Sequence, residues 1–220
     1  MRTDKQHAVV TGGTGSLGRA IVTALHAPSW VVAGPGSHDL DVRDRTAITR
    51  YFTQRPVDLL VCAHGIIRDA PLGRLTAEAW QEIWAVNFQG AAWCAAAALP
   101  AMLEQGHGHI VFISSFSARQ PPLGQVAYVA AKAALLGLVV DLAARHGPSN
   151  IRVNAVLPGF LETRMTEAVS DRRRLEIRAA HMLGRFNTCH EAAGFIRFLH
   201  HDLPHTSGQV FQLDSRLSAP

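Results

Sequence analysis

The chain has 220 residues, of which 48% are hydrophobic and 17% are charged. This length favours one compact domain, and the apolar content excludes an intrinsically disordered chain. The formal net charge is +4 at pH 7, but the basic residues form no long run. We therefore expect a mildly basic, solvated surface and no nucleic-acid partner.

Three cysteines, Cys62, Cys94 and Cys189, are too few and too scattered for a disulfide framework or a zinc cluster. The residues that follow Met1 are polar and lead directly into a short apolar run, so no signal peptide is visible. These features favour a cytoplasmic protein without a bound metal, in which Cys62 and Cys94 fill buried apolar positions.

Residues 83–103 contain no charged side chain and are long enough to span a bilayer. The segment nevertheless contains Asn87, Gln89 and Pro100, and its apolar residues are mostly alanine. A buried or interface helix explains this composition better, and we expect no membrane association.

Short apolar runs alternate along the chain with longer segments at helical spacing. The runs predict strands at residues 8–10, 30–33, 40–42, 59–62, 110–113, 151–156 and 209–213. The longer segments predict helices at residues 19–26, 45–54, 76–103, 126–146 and 191–199. This alternation is typical of an α/β protein with a Rossmann-type, doubly wound parallel sheet. Residues 1–220 are predicted to form one domain, with ligands at the carboxyl ends of the strands.

A glycine-rich loop lies between the first predicted strand and the first predicted helix. Residues 11–18 read Thr-Gly-Gly-Thr-Gly-Ser-Leu-Gly. Glycines permit a tight turn and a close approach of the backbone to a pyrophosphate, which then lies at a helix N-terminus. The loop therefore predicts a nucleotide site, with a plain tight turn as the alternative.

Tyr128 and Lys132 are spaced four residues apart on the helix predicted at residues 126–146, so they share one face. A phenol has a pKa of about 10, and a nearby ammonium group favours its ionised form. The pair is therefore suited to acid–base chemistry. Ser115 lies thirteen residues before Tyr128, and Asn87 lies twenty-eight residues before Ser115.

The order of glycine loop, Asn87, Ser115, Tyr128 and Lys132 resembles the short-chain dehydrogenase/reductase family, and the resemblance covers nearly the whole chain. Further motifs that resemble the family are Cys-Ala-His-Gly at 62–65, Leu-Pro-Gly-Phe-Leu-Glu-Thr at 157–163, Leu-Gly-Arg-Phe at 183–186 and Ser-Gly-Gln-Val at 207–210. The segment His-Gly-Ile-Ile-Arg-Asp at 64–69 is most similar to the 3-oxoacyl-carrier-protein reductase branch.

The resemblance implies an NAD(P)H-dependent reduction of a ketone, or the reverse oxidation of an alcohol. Tyr128 would be the general acid, Lys132 would lower its pKa, and Ser115 would stabilise the substrate oxygen. Asn87 would hold a water molecule that connects Lys132 to solvent. Ser114 is the neighbouring alternative for this role, but the spacing to Tyr128 favours Ser115.

The resemblance also implies a set of cofactor contacts, to which Tyr128 and Lys132 belong. The others are Gly12, Thr14, Ser16, Leu17 and Gly18 at the pyrophosphate, Asp41 and Val42 beside the adenine, Ala63, His64 and Gly65 under the adenine-side ribose, and Pro158, Gly159, Leu161 and Thr163 at the nicotinamide.

The chain departs from the family pattern in several places. Ser16 replaces a glycine, Cys62 and His64 replace Asn and Ala, and Leu-Asp-Ser-Arg at 213–216 lacks a double glycine. Only 22 residues separate Gly18 from Asp41, so we infer that the crossover helix before the third strand is missing.

The same shortened region normally selects the cofactor, and here it carries neither an acid nor an arginine directly after the second strand. Ser37, His38 or Arg43 could contact a 2′-phosphate. We therefore favour NADP(H), with NAD(H) as the alternative.

A lid is expected at about residues 160–190, where arginines are concentrated. They are Arg164, Arg172, Arg173, Arg174, Arg178 and Arg185. These arginines are suited to docking a substrate carried on acyl carrier protein or coenzyme A, although a solvated helix face is the simpler interpretation. The twelve histidines include the pairs His107/His109 and His200/His201, but none has metalloprotease spacing, and they are expected on the surface.

The apolar helices at residues 91–98 and 133–140 suit a homodimer or homotetramer. The alternative function is a non-redox protein of the same fold, either a dehydratase, an isomerase or a nucleotide-sensing protein. The altered glycine loop and the missing helix motivate this alternative.

Overall fold

Among residues 5–53 and 55–217, which this computed structural model describes, six parallel strands form one sheet in the order β2-β1-β3-β4-β5-β6. The strands are β1 Gln6–Thr11, β2 Trp30–Ala33, β3 Leu59–Cys62, β4 Gly108–Ile113, β5 Ile151–Leu157 and β6 Val210–Gln212. The central strands β3 and β4 are buried throughout because helices cover both faces. The predicted doubly wound α/β fold is confirmed.

Helices connect the strands and enclose two separate hydrophobic clusters. They are α1 Ser16–Leu25, α2 Arg45–Phe52, α3 Ala77–Trp84, α4 Gly90–Gln105, α5 Val126–His146, α6 Asp171–Ala179 and α7 Cys189–His201. Helices α2, α4 and α5 pack on one face of the sheet, and α1 and α7 pack on the other. The predicted bounds of α5 agree with the observed helix.

The strand predicted at residues 40–42 is wrong. Residues 34–44 connect β2 to α2 without a strand or helix, and this segment is too short for a crossover helix followed by a parallel strand. Leu40 and Val42 are buried, at 4% and 7% exposure, but they pack against the cluster beneath α2 and α4. The inferred loss of the crossover helix is confirmed, and β2 is consequently an edge strand.

The helix predicted at residues 76–103 has a change of pitch in its middle. Thr76 caps α3 by accepting a hydrogen bond from the amide of Ala79 at 3.2 Å. A π-helical turn, Ala85–Gln89, then separates α3 from α4. Such turns are frequent at functional sites, and this one contains the fully buried Asn87.

Two helical segments, Ala77–Gln105 and Val126–Ser149, are long and apolar enough to cross a membrane by length and composition alone. In the fold, both segments lie against the sheet. The buried residues of α4 include Ala91, Cys94, Ala95, Ala98 and Met102. Packing in the core therefore accounts for part of the apolar character of the two segments, of which 44% and 28% of the most apolar window is buried. The predicted burial of Cys62 and Cys94 is confirmed.

Candidate active site

The segments that follow β1, β3, β4 and β5 all lie at the carboxyl edge of the sheet. Because the strands are parallel, the glycine loop, residues 63–66, residues 114–115 and residues 158–160 meet there. This arrangement brings most of the sequence-predicted site residues to one region.

Tyr128 lies near both Ser115 and Lys132 at this edge. The Lys132 ammonium nitrogen is 5.9 Å from the centroid of the Tyr128 ring. Burial raises the pKa of Tyr128, and a hydrogen bond with the side chain of Ser115 acts in the opposite direction. The pKa of Tyr128 is therefore raised rather than lowered as predicted, and the phenol is protonated at neutral pH with the Ser115 hydroxyl and the Lys132 ammonium group nearby.

The predicted choice between Ser114 and Ser115 can be examined from their contacts. Ser114 Oγ donates a hydrogen bond to the carbonyl of Lys132 at 2.8 Å and is buried, so it joins β4 to α5. Ser115 Oγ accepts from the amide of Ser117 at 3.2 Å and faces Tyr128. Of the two hydroxyls, that of Ser115 lies beside the Tyr128 phenol.

Lys132 is 4% exposed, and its Nζ donates to the carbonyl of Ile113 at 2.9 Å. Burial lowers the pKa of Lys132 to about 8. The ammonium form therefore predominates at pH 7, but the group loses its proton more easily than an exposed lysine does.

Asn87 is fixed by three hydrogen bonds. Its Nδ2 donates to the carbonyls of Ile66 at 2.9 Å and Ile83 at 3.0 Å, and its Oδ1 accepts from the amide of Ile66 at 3.1 Å. A Cβ placed on Gly65 would lie 2.8 Å from Asn87 Oδ1 and 3.5 Å from Lys132 Nζ. Gly65 is therefore the point at which Asn87 and Lys132 come together.

The glycine loop has the geometry of an anion cradle. Gly12 has φ +72°, and a Cβ on it would lie 2.8 Å from His64 Cα. A Cβ on Gly18 would collide with the carbonyl of Gly12. No side chain caps the start of α1, whose N-cap is Gly15. The first amides of the helix are thus available to a pyrophosphate, so these residues fit a dinucleotide cofactor.

The remaining pyrophosphate candidates divide into exposed and buried positions. Thr14 is exposed, and its carbonyl accepts from Arg19 Nη2 at 3.1 Å. Ser16 is exposed on the first turn of α1, whereas the side chain of Leu17 packs against the core. A Cβ on Gly36 would lie 2.6 Å from Thr14 Oγ1, so the loop after β2 runs directly beside the glycine loop.

At the expected adenine position, Asp41 is already engaged by Arg43. The Arg43 Nε and Nη2 atoms lie 2.9 and 2.7 Å from the two carboxylate oxygens, and these hydrogen bonds lower the pKa of Asp41. Val42 is buried at 7% exposure, so its side chain contacts the core. Ser37 and His38 are exposed on the preceding turn.

His64 turns inward from the segment after β3. Its Nδ1 lies 2.6 Å from Thr11 Oγ1, which ties the end of β1 to that segment, and burial lowers the pKa of His64 to about 3. Cys62 Sγ donates to the carbonyl of Ala91 at 3.8 Å. The two residues that depart from the family pattern thus supply local contacts of their own, next to the half-buried Ala63.

The expectation that the histidines lie on the surface is wrong for several of them. His109, His181 and His200 are 0%, 3% and 9% exposed. Each has polar partners inside the protein, which local sequence spacing does not reveal.

The loop after β5 is held from two sides. The carbonyl of Pro158 accepts from Asn187 Nδ2 at 3.0 Å, and Gly159 has φ +92°. Leu161 is 7% exposed, and the amide of Thr163 donates to Thr166 Oγ1 at 2.9 Å. These residues lead into the arginine-rich segment that contains α6.

A family model described as enoyl-(acyl carrier protein) reductase matches residues 15–215. The chain belongs to the short-chain dehydrogenase/reductase family. Members of this family are NAD(P)-dependent oxidoreductases, as the order of the motifs predicts, and the predicted resemblance is confirmed.

Relatives of this short-chain dehydrogenase/reductase agree with the family assignment. The chain is 34% identical to a 3-oxoacyl-[acyl-carrier-protein] reductase of Thermotoga maritima, over 99% of each chain. It is 33% identical to the Escherichia coli enzyme of the same name, over 92% of each chain. The first alignment extends over 245 positions. It therefore contains gaps opposite the 220-residue chain, as a lost crossover requires.

A solved structure has the same fold as this short-chain dehydrogenase/reductase. It is described as a putative NAD(P)-dependent gluconate 5-dehydrogenase from Beutenbergia cavernae with bound NADP. The TM-score is 0.91 at 30% sequence identity, and the match covers 96% of this chain and 95% of the other.

Sequence reasoning missed one group beside the loop after β5. The side chain of Asp214 is 1% exposed and lies against Gly159, in contact with Arg216. The only sequence signal was the departure from a double glycine at positions 215 and 216.

Proposed function

We propose that this oxidoreductase reduces the ketone of a 3-oxoacyl thioester, with NADPH as the reductant and Tyr128 as the general acid. The observation that carries the proposal is the position of the half-buried Tyr128 beside both Ser115 and Lys132. The names of the Thermotoga maritima and Escherichia coli relatives support the substrate class.

The protein's own groups would handle the proton and the developing charge. Tyr128 would donate its phenolic proton to the ketone oxygen, and the Lys132 ammonium would stabilise the resulting phenolate. Ser115 would donate a hydrogen bond to the same oxygen as negative charge develops on it. Asn87, fixed beside Gly65, would hold a water molecule through which Lys132 is reprotonated.

The glycine loop would hold the pyrophosphate of the cofactor, and NADPH, when bound, supplies the hydride. Ala63 and Gly65 would lie under the adenine-side ribose of the cofactor, and Leu161 and Thr163 would lie at its nicotinamide. NADP(H) is favoured over NAD(H) because the solved relative contains NADP. The exposed Ser37, His38 and Arg43 are the candidates for the 2′-phosphate.

An acidic carrier would approach the arginine-rich lid. The side chain of Arg172 is 90% exposed, whereas Arg174 is held by Glu162 and by the carbonyl of Thr166. The exposed arginines are therefore the ones available to a phosphorylated carrier such as acyl carrier protein or coenzyme A.

We further propose a cytoplasmic homodimer or homotetramer. Leu103 on α4 and Val140 on α5 are 44% and 61% exposed, and they continue the apolar surfaces that these helices bury in the core. A second copy of the chain would cover them.

The decisive experiment follows the loss of NADPH absorbance with acetoacetyl-coenzyme A. Tyr128→Phe should lower kcat at least about 10²-fold, because it removes the general acid. Tyr51 is the other of the two tyrosines and contacts Phe52 and Arg55, so Tyr51→Phe is the matched control and should keep full activity.

Undiminished turnover in Tyr128→Phe would show that the proposed mechanism is wrong. A wild-type protein that binds NADPH but does not oxidise it with any 3-oxoacyl thioester would contradict the substrate class. Isomerase or dehydratase activity without NADPH would favour the non-redox alternative.

A further inference from the structure

A buried carboxylate lies behind the loop that is expected to face the nicotinamide. The side chain of Asp214 is 1% exposed, and its Oδ2 accepts from Arg216 Nε at 2.8 Å. Its Oδ1 accepts from Gln212 Nε2 at 2.9 Å. A buried charge is costly without a partner, so the carboxylate depends on Arg216 to stay in place.

Asp214 presses directly on the backbone of Gly159. A Cβ on Gly159 would lie 2.8 Å from Asp214 Cβ and 3.0 Å from Oδ2, and φ at this residue is +92°. Glycine alone accommodates both the backbone conformation and the close approach. The position of the Asp214 side chain therefore determines the position of the loop.

Arg216 also contacts the segment that carries the catalytic serine. Its guanidinium carbon lies 3.8 Å from the centroid of the Phe116 ring, one residue after Ser115. The Arg216 side chain is 14% exposed, so this cation–π contact is largely shielded from water. Shielding from water strengthens such a contact. Gln120 of the same segment donates from Nε2 to the carbonyl of Leu217 at 2.8 Å.

The lid contacts the same stretch of chain. The amides of Met182 and Leu183 donate to the carbonyl and hydroxyl oxygens of Ser215, both at 3.2 Å. His181 forms a β-bridge with Arg216, and its Nε2 lies 3.7 Å from Asp214 Oδ2. Residues 212–217, which we call the C-terminal strap, thus join the lid, the serine segment and the loop after β5.

We propose that Arg216 is a positioning residue for hydride transfer, because its side chain holds Asp214 against Gly159 and beside His181, and so keeps the lid attached to the C-terminal strap. The expected effect of Arg216 on the rate rests on the proposed ketone reduction. Its effect on the attachment of the lid does not depend on cofactor or substrate. The family often has two glycines after the aspartate, so this side chain distinguishes the present chain.

The test compares Arg216→Met and Arg216→Lys with Arg55→Met in the full chain. Arg55 is the matched control because its guanidinium also stacks on an aromatic ring, 4.4 Å from the centroid of Tyr51, at the end of α2. The first readout is limited trypsin digestion without cofactor or substrate. The lid contains six tryptic sites that these variants leave intact: Arg164, Arg172, Arg173, Arg174, Arg178 and Arg185.

Arg216→Met should be cut in the lid about tenfold faster, because cleavage follows the population of the detached lid. Its NADPH dissociation constant, measured by fluorescence titration, should rise about tenfold. Its kcat should fall up to about 10²-fold, since a misplacement of about 1 Å costs that much. Arg216→Lys should recover part of each loss, and Arg55→Met should match the wild type.

Wild-type trypsin cleavage together with wild-type NADPH affinity in Arg216→Met would overturn the proposal. If that variant does not fold, Arg216→Lys decides, and wild-type values in both measurements would again overturn it. If the wild-type protein reduces no ketone, the proposed function fails, but the trypsin comparison still tests the role of Arg216.

Discussion

His109 Nδ1 lies 3.3 Å from His200 Nδ1 inside the protein, where the start of β4 meets the end of α7. Asn154 Oδ1 accepts from the amide of Gln209, so its Nδ2 must donate to His109 Nε2, 3.1 Å away. Neutral His109 therefore carries its proton on Nδ1 and donates it to His200. The pair connects β4, β5 and α7 at the edge of the sheet opposite the candidate active site.

Both histidines must stay neutral in the folded protein, which predicts acid sensitivity. Burial lowers the pKa of His109 well below 6.5 and that of His200 to about 3, with the positive charge of Arg152 acting in the same direction. His107 and His201 also lower the pKa of His200, whereas Asp58 raises it.

In the unfolded chain both imidazoles titrate near 6.5, so below that pH the unfolded state binds more protons. The free energy of unfolding should therefore be constant above pH 7 in this respect. As the pH drops below about 6.5, it should fall by about 1.4 kcal/mol per pH unit for each histidine that stays neutral in the folded protein, and for His200 this decline extends to about pH 3.

Urea unfolding at several pH values between about 4.5 and 8 measures this slope, because that range covers part of the predicted decline below pH 6.5 and the constant region above it. His200→Gln, whose side-chain oxygen can still accept from His109, should reduce the slope by about one proton. The exposed His205 provides the control, and His205→Gln should leave the slope unchanged. Equal slopes in the wild type and His200→Gln would contradict the assignment.

The lowered pKa of Lys132 predicts an alkaline limit on the reaction. Burial brings this pKa to about 8, and above it the ammonium group that would stabilise the Tyr128 phenolate loses its charge. The kcat/KM for ketone reduction should therefore decline above pH 8. Lys132→Arg stays charged at every accessible pH, so its rate should be lower but without this decline. If kcat/KM of Lys132→Arg declined above pH 8 in the same way, the decline would arise from a group other than Lys132.

Ser114 and Ser115 should have separable roles. Ser115→Ala removes the hydroxyl beside Tyr128 and should lower kcat about 10²-fold with little change in stability. Ser114→Ala breaks the buried bond to the Lys132 carbonyl and should cost about 1–2 kcal/mol of unfolding free energy, with less than about a tenfold change in kcat. Steady-state kinetics and urea unfolding of both variants measure the difference, and the reverse pattern would exchange their roles.

The secondary-structure elements that were predicted well are those whose sequence pattern lies entirely within the element itself. The unbroken apolar run at β3 and the helical spacing of α5 depend only on neighbouring residues, so their bounds agree with the structure. Leu40 and Val42 alternate as strand residues do, but the segment is too short to reach the sheet edge, and they pack beneath helices instead.

The order of motifs along the sequence indicated which residues lie at the candidate site. It did not indicate the interactions of these residues that form between distant segments on folding. Sequence spacing could not show that Ser114 bonds to the carbonyl of Lys132, eighteen residues away. The burial of His109 likewise depends on its contact with Asn154, and the burial of Asp214 depends on its fit against Gly159. Both pairs of residues come together only when the chain folds.

A substitution at Gly65 tests whether the arrangement of Asn87 and Lys132 around this residue matters to the reaction. In Gly65→Ala the new methyl group would lie 2.8 Å from Asn87 Oδ1, which is held by a hydrogen bond from the Ile66 amide and cannot withdraw freely. We expect a loss of about 1–3 kcal/mol in stability and a decrease of at least about tenfold in kcat.

The matched control for Gly65→Ala is Gly194→Ala, because a Cβ on Gly194 in α7 would meet nothing within 4 Å. Alanine there should stabilise the helix by about 0.5–1 kcal/mol and leave kcat unchanged. Circular dichroism melting and steady-state kinetics on both variants separate backbone effects from the crowding at Asn87. Wild-type turnover in Gly65→Ala would show that the proton path proposed through Asn87 and Lys132 does not limit the reaction.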